Sequence, residues 1–426
     1  MSSRLIGGKE LAESTSKIQR AQALHRGGRL DDARTLCEEL LREAPGCFEA
    51  QSLLALMAAQ RGDFALAIAG YDRVIAINPG SADAYSNRGA SLAGLNRWTE
   101  ALANFDQAIA VRPGHTEAHL SRAILWLLQG DFARGWAEFE WRWETSQGRA
   151  LRERKGFSQP PWLGAEAIAG KTILLYCEKG LGDTLQFCRF AKMVRDLGAT
   201  VLLQVQEPLV GMLSQVAGVS QVVADTVPPP PFDVHCPLLS LPLALKIELA
   251  TIPAEKYLSA PLTALARWRA KLGESTKPRI GLAWRGDPDN PVDHKRSLTL
   301  AQFLPHLPGG FQYVSLQKEL TELEQRTVAA HSVDFSLWQE LNFVETAALC
   351  ECLDLVISVD TSVAHLSAAL GRKTWILLPF NPDCRWLLDR HDSPWYPSAK
   401  LYRQARTGDW HGVLNRVAED LNRELA

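Results

Sequence analysis

At 426 residues, with 46% hydrophobic and 22% charged residues, the chain has room for two or three well-cored domains. Its formal net charge of −2 gives no electrostatic case for nucleic acid or an anionic membrane as main partner. No apolar run reaches bilayer-spanning length, and the N-terminal MSSRLIGGKELAES is polar rather than signal-like, so a cytoplasmic location is expected.

Eight cysteines lie scattered at 37, 47, 177, 188, 236, 350, 352 and 384, and in a chain without an export signal they read as reduced core thiols. The CEC at 350–352 sits in an apolar helical pattern without a second pair at ligand spacing, so no metal site is expected there.

Periodicity dominates the first third. Pro45, Pro79 and Pro113 stand 34 residues apart, each followed by glycine, with Ala33, Ala67 and Ala101 twelve residues upstream. Gly28, Gly62 and Asn96 mark a turn inside successive units, and Cys37, Tyr71 and Phe105 share one large-residue position. Each unit reads as helix, tight turn, helix, the proline ending the second helix because it cannot continue one. A fourth unit starts at His119, turns at Gly130, replaces the alanine with Gly135 and runs into FARGWAEFEWRWET without reaching a proline.

This register, clearest over 82–113, resembles the tetratricopeptide repeat across roughly 15–145. The resemblance implies a superhelix whose concave face holds a peptide or another protein. Trp136, Phe139 and Trp143, at helical spacing, are expected to bury the last repeat against the next domain rather than to form a ligand cage.

From Lys171 strands alternate with helices. KTILLYC (171–177), TVLLQV (200–205) and VSQVVA (219–224) read as strands, with a helix at 184–197 and a proline loop at 228–231. A second series comes after it, with strands in RIGLAWRG (279–286), FQYVSLQ (311–317), VDFS (333–336), LDLVIS (353–358) and WILLP (375–379). Two successive halves of this kind put a cleft at the carboxyl ends of both strand sets. The amphipathic HGVLNRVAEDLNREL is expected to cross back and pack on the first half.

The stretch SVDTSVAH places Asp360 at a strand's carboxyl end, with Thr361 or Ser362 capping a helix that Gly371 ends. A helix N-terminus suits a pyrophosphate, and the Asp360 oxygens suit sugar hydroxyls, with His365 one turn on. On spacing alone, simple capping explains the same residues equally well.

DTSVAHLSAALG with KTWILLPF, and EKGLGDTLQF with its GD turn, resemble the heptosyltransferase family of GT-B glycosyltransferases over roughly 165–405. With the repeats ahead of it, the chain resembles a bacterial tetratricopeptide-repeat glycosyltransferase fusion. The resemblance implies an α-helical TPR solenoid followed by an α/β GT-B fold, two Rossmann-like halves with a cleft between them. It implies donor binding by Asp360, Thr361 and Ser362, the last standing where the family usually has glycine, and a general base at Asp183.

A base there suits the chemistry, because the acceptor must lose a proton while the sugar–phosphate bond breaks. Gly180 and Gly182 let backbone and acceptor approach closely, and the alternative role for Asp183 is an N-cap. No DxD-type metal motif stands out, so positive charge for the phosphates is expected from Arg296, with Arg285 a further candidate. Lys295 reads as solvated surface, Gln317 as a candidate contact to the base, and Asn381 and Arg385 as further candidates for phosphate.

The expected divisions are 1–147 (repeats), 148–265 (acceptor half), 266–405 (nucleotide-sugar half) and 406–426 (closing helix). The leading expectation is a metal-independent, inverting glycosyltransferase without a cofactor, using a nucleotide-sugar donor and a protein acceptor held by the repeats. Two alternatives stay open: a saccharide or lipid-linked acceptor, and a non-catalytic adaptor.

Overall fold

The computed structural model describes residues 2–178, 180–290, 293–329, 335–336 and 341–424, with side chains from Ser14 onward. By internal contacts the chain divides into two units, Met1–Trp126 with Ala137–Ala150, and Leu127–Trp136 with Leu151–Ala426.

Antiparallel helix pairs build the first unit: α1 (Ser2–Arg26) with α2 (Leu30–Glu43), α3 (Phe48–Gln60) with α4 (Phe64–Ile77), and α5 (Ala82–Gly94) with α6 (Trp98–Val111). Next come α7 (Thr116–Leu128), starting three residues before the expected His119, and α8 (Phe132–Phe139). The 34-residue register reappears as backbone geometry. Gly28, Gly62, Asn96 and Gly130 all adopt positive φ, at 76°, 83°, 57° and 83°, which reverses the chain between the helices of each pair. Ala33, Ala67 and Ala101 are fully buried, because a larger side chain would hold the paired helices apart.

A polar ladder with the same period ties neighbouring repeats. Arg88 donates to Asp72 (2.5 Å) and Asn104 (2.7 Å), and 34 residues on Arg122 donates to Asp106 (2.6 Å) and Glu138 (2.9 Å). Each arginine thus joins its own repeat to the preceding one, partly screened from water at 23% and 18% side-chain exposure.

The second unit holds two parallel sheets. β1 (Thr172–Tyr176), β2 (Thr200–Val205), β3 (Gln221–Ala224) and β4 (Val234–Pro237) pair in the order β3-β2-β1-β4. The second sheet, β10-β9-β8-β5-β6-β7, comprises β5 (Arg279–Ala283), β6 (Gln312–Ser315), β7 (Phe335–Ser336), β8 (Leu355–Val359), β9 (Thr374–Leu378) and β10 (Ala399–Arg403). Of the strand expected at 333–336, Val333 and Asp334 lie outside the described residues. Near-continuous burial along β1, β8 and β9 follows from helices on both faces of a parallel sheet.

Strand order reverses between β1 and β4 in one sheet and between β5 and β8 in the other. At such switch points the connections leave in opposite directions and open a crevice at the carboxyl ends. The GLGD turn follows β1; Asp360 follows β8, and the loop bearing Arg296 follows β5.

The closing helix, Trp410–Glu424, does not cross back. Its apolar face, Trp410, Val413, Leu414, Val417 and Leu421, joins the core of the second sheet with Ile280, Tyr313 and Tyr402. Lys400 of β10 anchors it through Asp420 (2.6 Å) and Glu424 (2.7 Å). Trp136 is buried edge-on against Phe187 at 5.8 Å within the second unit, while Phe139 and Trp143, also buried, belong to the first. All eight cysteines are free thiols, and burial pushes those of Cys188 and Cys350 up to about 12.

Candidate active site

The helix Leu181–Phe187 begins at Gly180, and Asp183 occupies its third position. There Asp183 Oδ2 accepts the Gly180 N–H at 3.0 Å, half of a capping box, since glycine has no side chain to reciprocate. The N-cap role is therefore real, but it occupies one oxygen only. Oδ1 accepts from Arg385 Nη2 at 2.5 Å, across 202 residues of sequence.

Opposite stands the helix Ser362–Ala369, capped at Thr361, whose hydroxyl meets Ser358 Oγ at 3.1 Å instead of a helix N–H. Asp360 and Thr361 are buried and Ser362 is half-buried. His365, only 1% exposed, lies one turn into this helix, stacked on Trp386 with ring centroids 5.3 Å apart. Its Nδ1 meets the Tyr396 hydroxyl at 2.9 Å, and its Nε2 lies 3.3 Å from Arg385 Nη1 and 3.7 Å from Asp360 Oδ1. A guanidinium only donates, so Nε2 is the acceptor and the proton sits on Nδ1.

Electrostatics follows from this crowding. Burial opposes ionisation of Asp360, but the adjoining His365 and the charge of Arg385 outweigh it and hold the carboxyl at about 2. The Trp386 indole N–H also lies beside Asp360, though outside hydrogen-bonding geometry. Burial, reinforced by Arg385, keeps His365 below the usual histidine range despite Asp360. Arg385 itself is held well above the ordinary arginine value; burial opposes its charge, but Asp383, Asp183 and Asp360 prevail. Its Nε is 3.1 Å from Asp383 Oδ1, an ion pair without hydrogen-bond alignment.

The remaining candidates divide. Arg296 reaches the cluster, donating to the Asp360 carbonyl at 2.7 Å while Asp293 holds its Nε at 3.0 Å. Arg285 is turned to Glu324 (3.1 Å) and the Glu319 carbonyl (2.6 Å). Gln317 closes a pair of bonds with the Arg285 backbone, at 3.2 and 3.3 Å, joining the ends of β5 and β6. Gly180 is exposed and Gly182 half-buried. A Cβ on Gly182 would lie 2.9 Å from His365 Cδ2, so this glycine lets the two helices approach.

Sequence reasoning missed the support around His365. Arg189, 4% exposed, donates to Tyr257 Oη (2.9 Å) and the Trp395 carbonyl (2.7 Å), and lies over the Tyr396 ring at 4.6 Å. The one available signal was the density of aromatics between Trp386 and Tyr396.

Two parallel sheets, with an acid after the first strand of one half paired to an arginine of the other, define a class: α/β proteins built of two halves. Comparison with known proteins narrows it. Residues 18–82 and 87–140 match the tetratricopeptide repeat, and residues 313–377 match glycosyltransferase family 9 (heptosyltransferase). The chain therefore joins a match to tetratricopeptide repeats with a match, further along, to part of glycosyltransferase family 9.

It is 25% identical over 393 residues to protein FlbA of Caulobacter vibrioides, covering 84% of this chain and 64% of FlbA. The chain thus spans less than two thirds of that relative's length. A glycosyltransferase family 9 structure from Veillonella parvula aligns at 11% identity over 61% of this chain and 98% of its own, with a TM-score of 0.46. A thermophilic TPR protein of Thermus thermophilus aligns at 22% identity over 34% of this chain and 83% of its own, with a TM-score of 0.30. Among the described residues no helix is long and apolar enough to cross a membrane, and no three His, Cys, Asp or Glu side chains converge as a metal site.

Proposed function

We propose that the chain is an inverting, metal-independent glycosyltransferase of GT-B architecture, moving a sugar from a nucleotide sugar to a protein acceptor recruited by the repeats. One observation carries this reading: Asp183, at the switch point of the first sheet, pairs with Arg385, which reaches His365 and, behind it, Asp360 at the switch point of the second. A base from one half thereby faces the candidate donor site of the other.

In the reaction the acceptor O–H gives its proton to Asp183 as its oxygen attacks the anomeric carbon from the face opposite the phosphate. The bond from that carbon to phosphate oxygen breaks, and its electron pair leaves with the phosphate. Asp360, Thr361 and Ser362 bind the sugar and pyrophosphate, and Arg296, fixed over the Asp360 carbonyl, adds positive charge. A single displacement with one base inverts the anomeric centre. Repeats joined to the transferase raise the local concentration of a bound acceptor, which supports a protein substrate.

The test is a thermal-shift panel of nucleotide sugars on wild type and Asp360→Ala, followed by transfer assays with Asp183→Asn. A donor that raises the melting temperature of wild type only, together with transfer lost in Asp183→Asn, is the expected result. If Asp183→Asn transfers as fast as wild type, Asp183 is not the base. If no donor shifts wild type, the transferase reading fails.

A further inference from the structure

Arg296 and Arg285 each have built-in partners on their own half: Asp293 and the Asp360 carbonyl for one, Glu324 and the Glu319 carbonyl for the other. Arg385 is arranged differently. It bridges the candidate base, Asp183, and the donor-side histidine, and has two more carboxylates nearby, Asp383 at 3.1 Å and Asp360 behind His365. An arginine binds phosphate and carboxylate through the same planar fork, so an arriving pyrophosphate competes with Asp183 for one set of N–H groups.

The backbone carrying Arg385 is strained. Cys384–Trp386 forms a single tight turn, and Leu387 follows it at φ 54°, ψ −175°, a conformation held almost exclusively by glycine. Asp389 is also at positive φ, 49°. The turn stays in place because Arg403 ties down the Trp386 carbonyl (2.5 Å) and the Arg390 carbonyl (3.0 Å), while the Leu387 side chain is buried. Strain of this kind marks a segment whose conformation its surroundings impose and a new contact can change.

We infer that Arg385 is a catalytic residue for the leaving group: it is paired with Asp183, and the donor pyrophosphate draws it away. This rests on the transferase reading. The exchange couples two events. Donor binding puts the guanidinium on the oxygen that must accept the electron pair of the breaking bond, and it frees Asp183 Oδ1 to take the acceptor proton. Asp183 then becomes a competent base only once a donor is seated, which limits idle activation of water or acceptor in an empty site. In the displacement the acceptor proton ends on Asp183, and the negative charge released on the phosphate is met by Arg385.

The experiment is calorimetric titration of the full chain with UDP, GDP, ADP and CDP. It compares wild type, Asp183→Asn, Arg385→Gln, Arg385→Lys and the double variant Asp183→Asn with Arg385→Gln, each checked for folding by melting and circular dichroism. Removing the competing carboxylate should tighten the nucleotide that binds, about three- to tenfold in Asp183→Asn, and losing the fork should weaken it about tenfold or more. The double variant should match Arg385→Gln within about twofold, because Asp183 acts on affinity only through Arg385. Should Arg385→Gln fail to fold, Arg385→Lys serves, with weakening expected from the lost fork. Unchanged or weaker affinity in Asp183→Asn overturns the exchange while leaving the donor site standing. No binding to either wild type or Asp183→Asn overturns the donor-site reading and the exchange with it.

Discussion

Gly182 and His365 are in direct apposition: a methyl group on residue 182 would stand 2.9 Å from the imidazole Cδ2. The ring cannot retreat, because Trp386 stacks on it and Tyr396 holds its Nδ1. Gly182→Ala should therefore destabilise the chain by about 1–3 kcal/mol through overpacking. The check is urea unfolding in wild-type and His365→Ala backgrounds. Most of the cost should vanish once the ring is gone, and an equal cost in both backgrounds would show that residue 182 is not against the ring.

Asp360 makes stability depend on pH in a stated direction. Its carboxyl sits at about 2 in the fold, against about 3.9 in an unfolded chain. The lowered value means the unfolded state takes up the proton first as pH falls. The stabilisation is thus complete above about pH 4 and lost toward about pH 2. Asp360→Asn should be about 2 kcal/mol less stable at pH 7, with the gap closing through that window, read from urea midpoints at pH 7, 4 and 3.

The polar ladder of the repeats should show a gradient. Glu138 is 9% exposed and loses its arginine in Arg122→Ala, whereas Arg88→Ala strands the neutral Asn104 and the open Asp72. Leaving a half-buried carboxylate without its cation costs more, so Arg122→Ala should lose about 2 kcal/mol and Arg88→Ala about 1. Melting of the full-length variants decides the ranking.

Asn96 is the one non-glycine among the four left-handed turns, and its Oδ1 is buried without a hydrogen-bond partner. Asn96→Gly removes the strain and the orphaned oxygen, at some cost in unfolded-chain entropy. A net gain of about 0.5 kcal/mol is expected in chemical denaturation. A loss would mean that the amide contributes where no partner is visible.

Much of this was legible in the sequence, for physical reasons. A helix–turn–helix repeat advertises itself because left-handed turns, buried alanines and helix-ending prolines recur at one spacing. Buried parallel strands such as LDLVIS advertise themselves through unbroken apolar runs. β4 and β10 escaped notice because they lack that signal. VHCP is four residues on a sheet edge, and AKLYR carries charges whose partners, Asp420, Glu424 and two carbonyls, come from elsewhere in the fold. The same limit applies to the site. Asp183, Asp360 and Thr361 stand at strand ends that local pattern locates. That Arg385 faces Asp183, and that Tyr396 orients His365, depends on where two separate sheets bring their loops.

The rungs between repeats also make the array divisible. Excising residues 82–115, one period of 34, would leave Arg122 facing Asp72 where Arg88 stood, with Glu138 replacing Asn104 as its second partner. The ladder closes over the cut because donor and acceptors recur in phase with the helices. Array length is thus free to change in whole periods, while a cut out of phase by one residue would bring Tyr71 or Arg73, not Asp72, into register with Arg122.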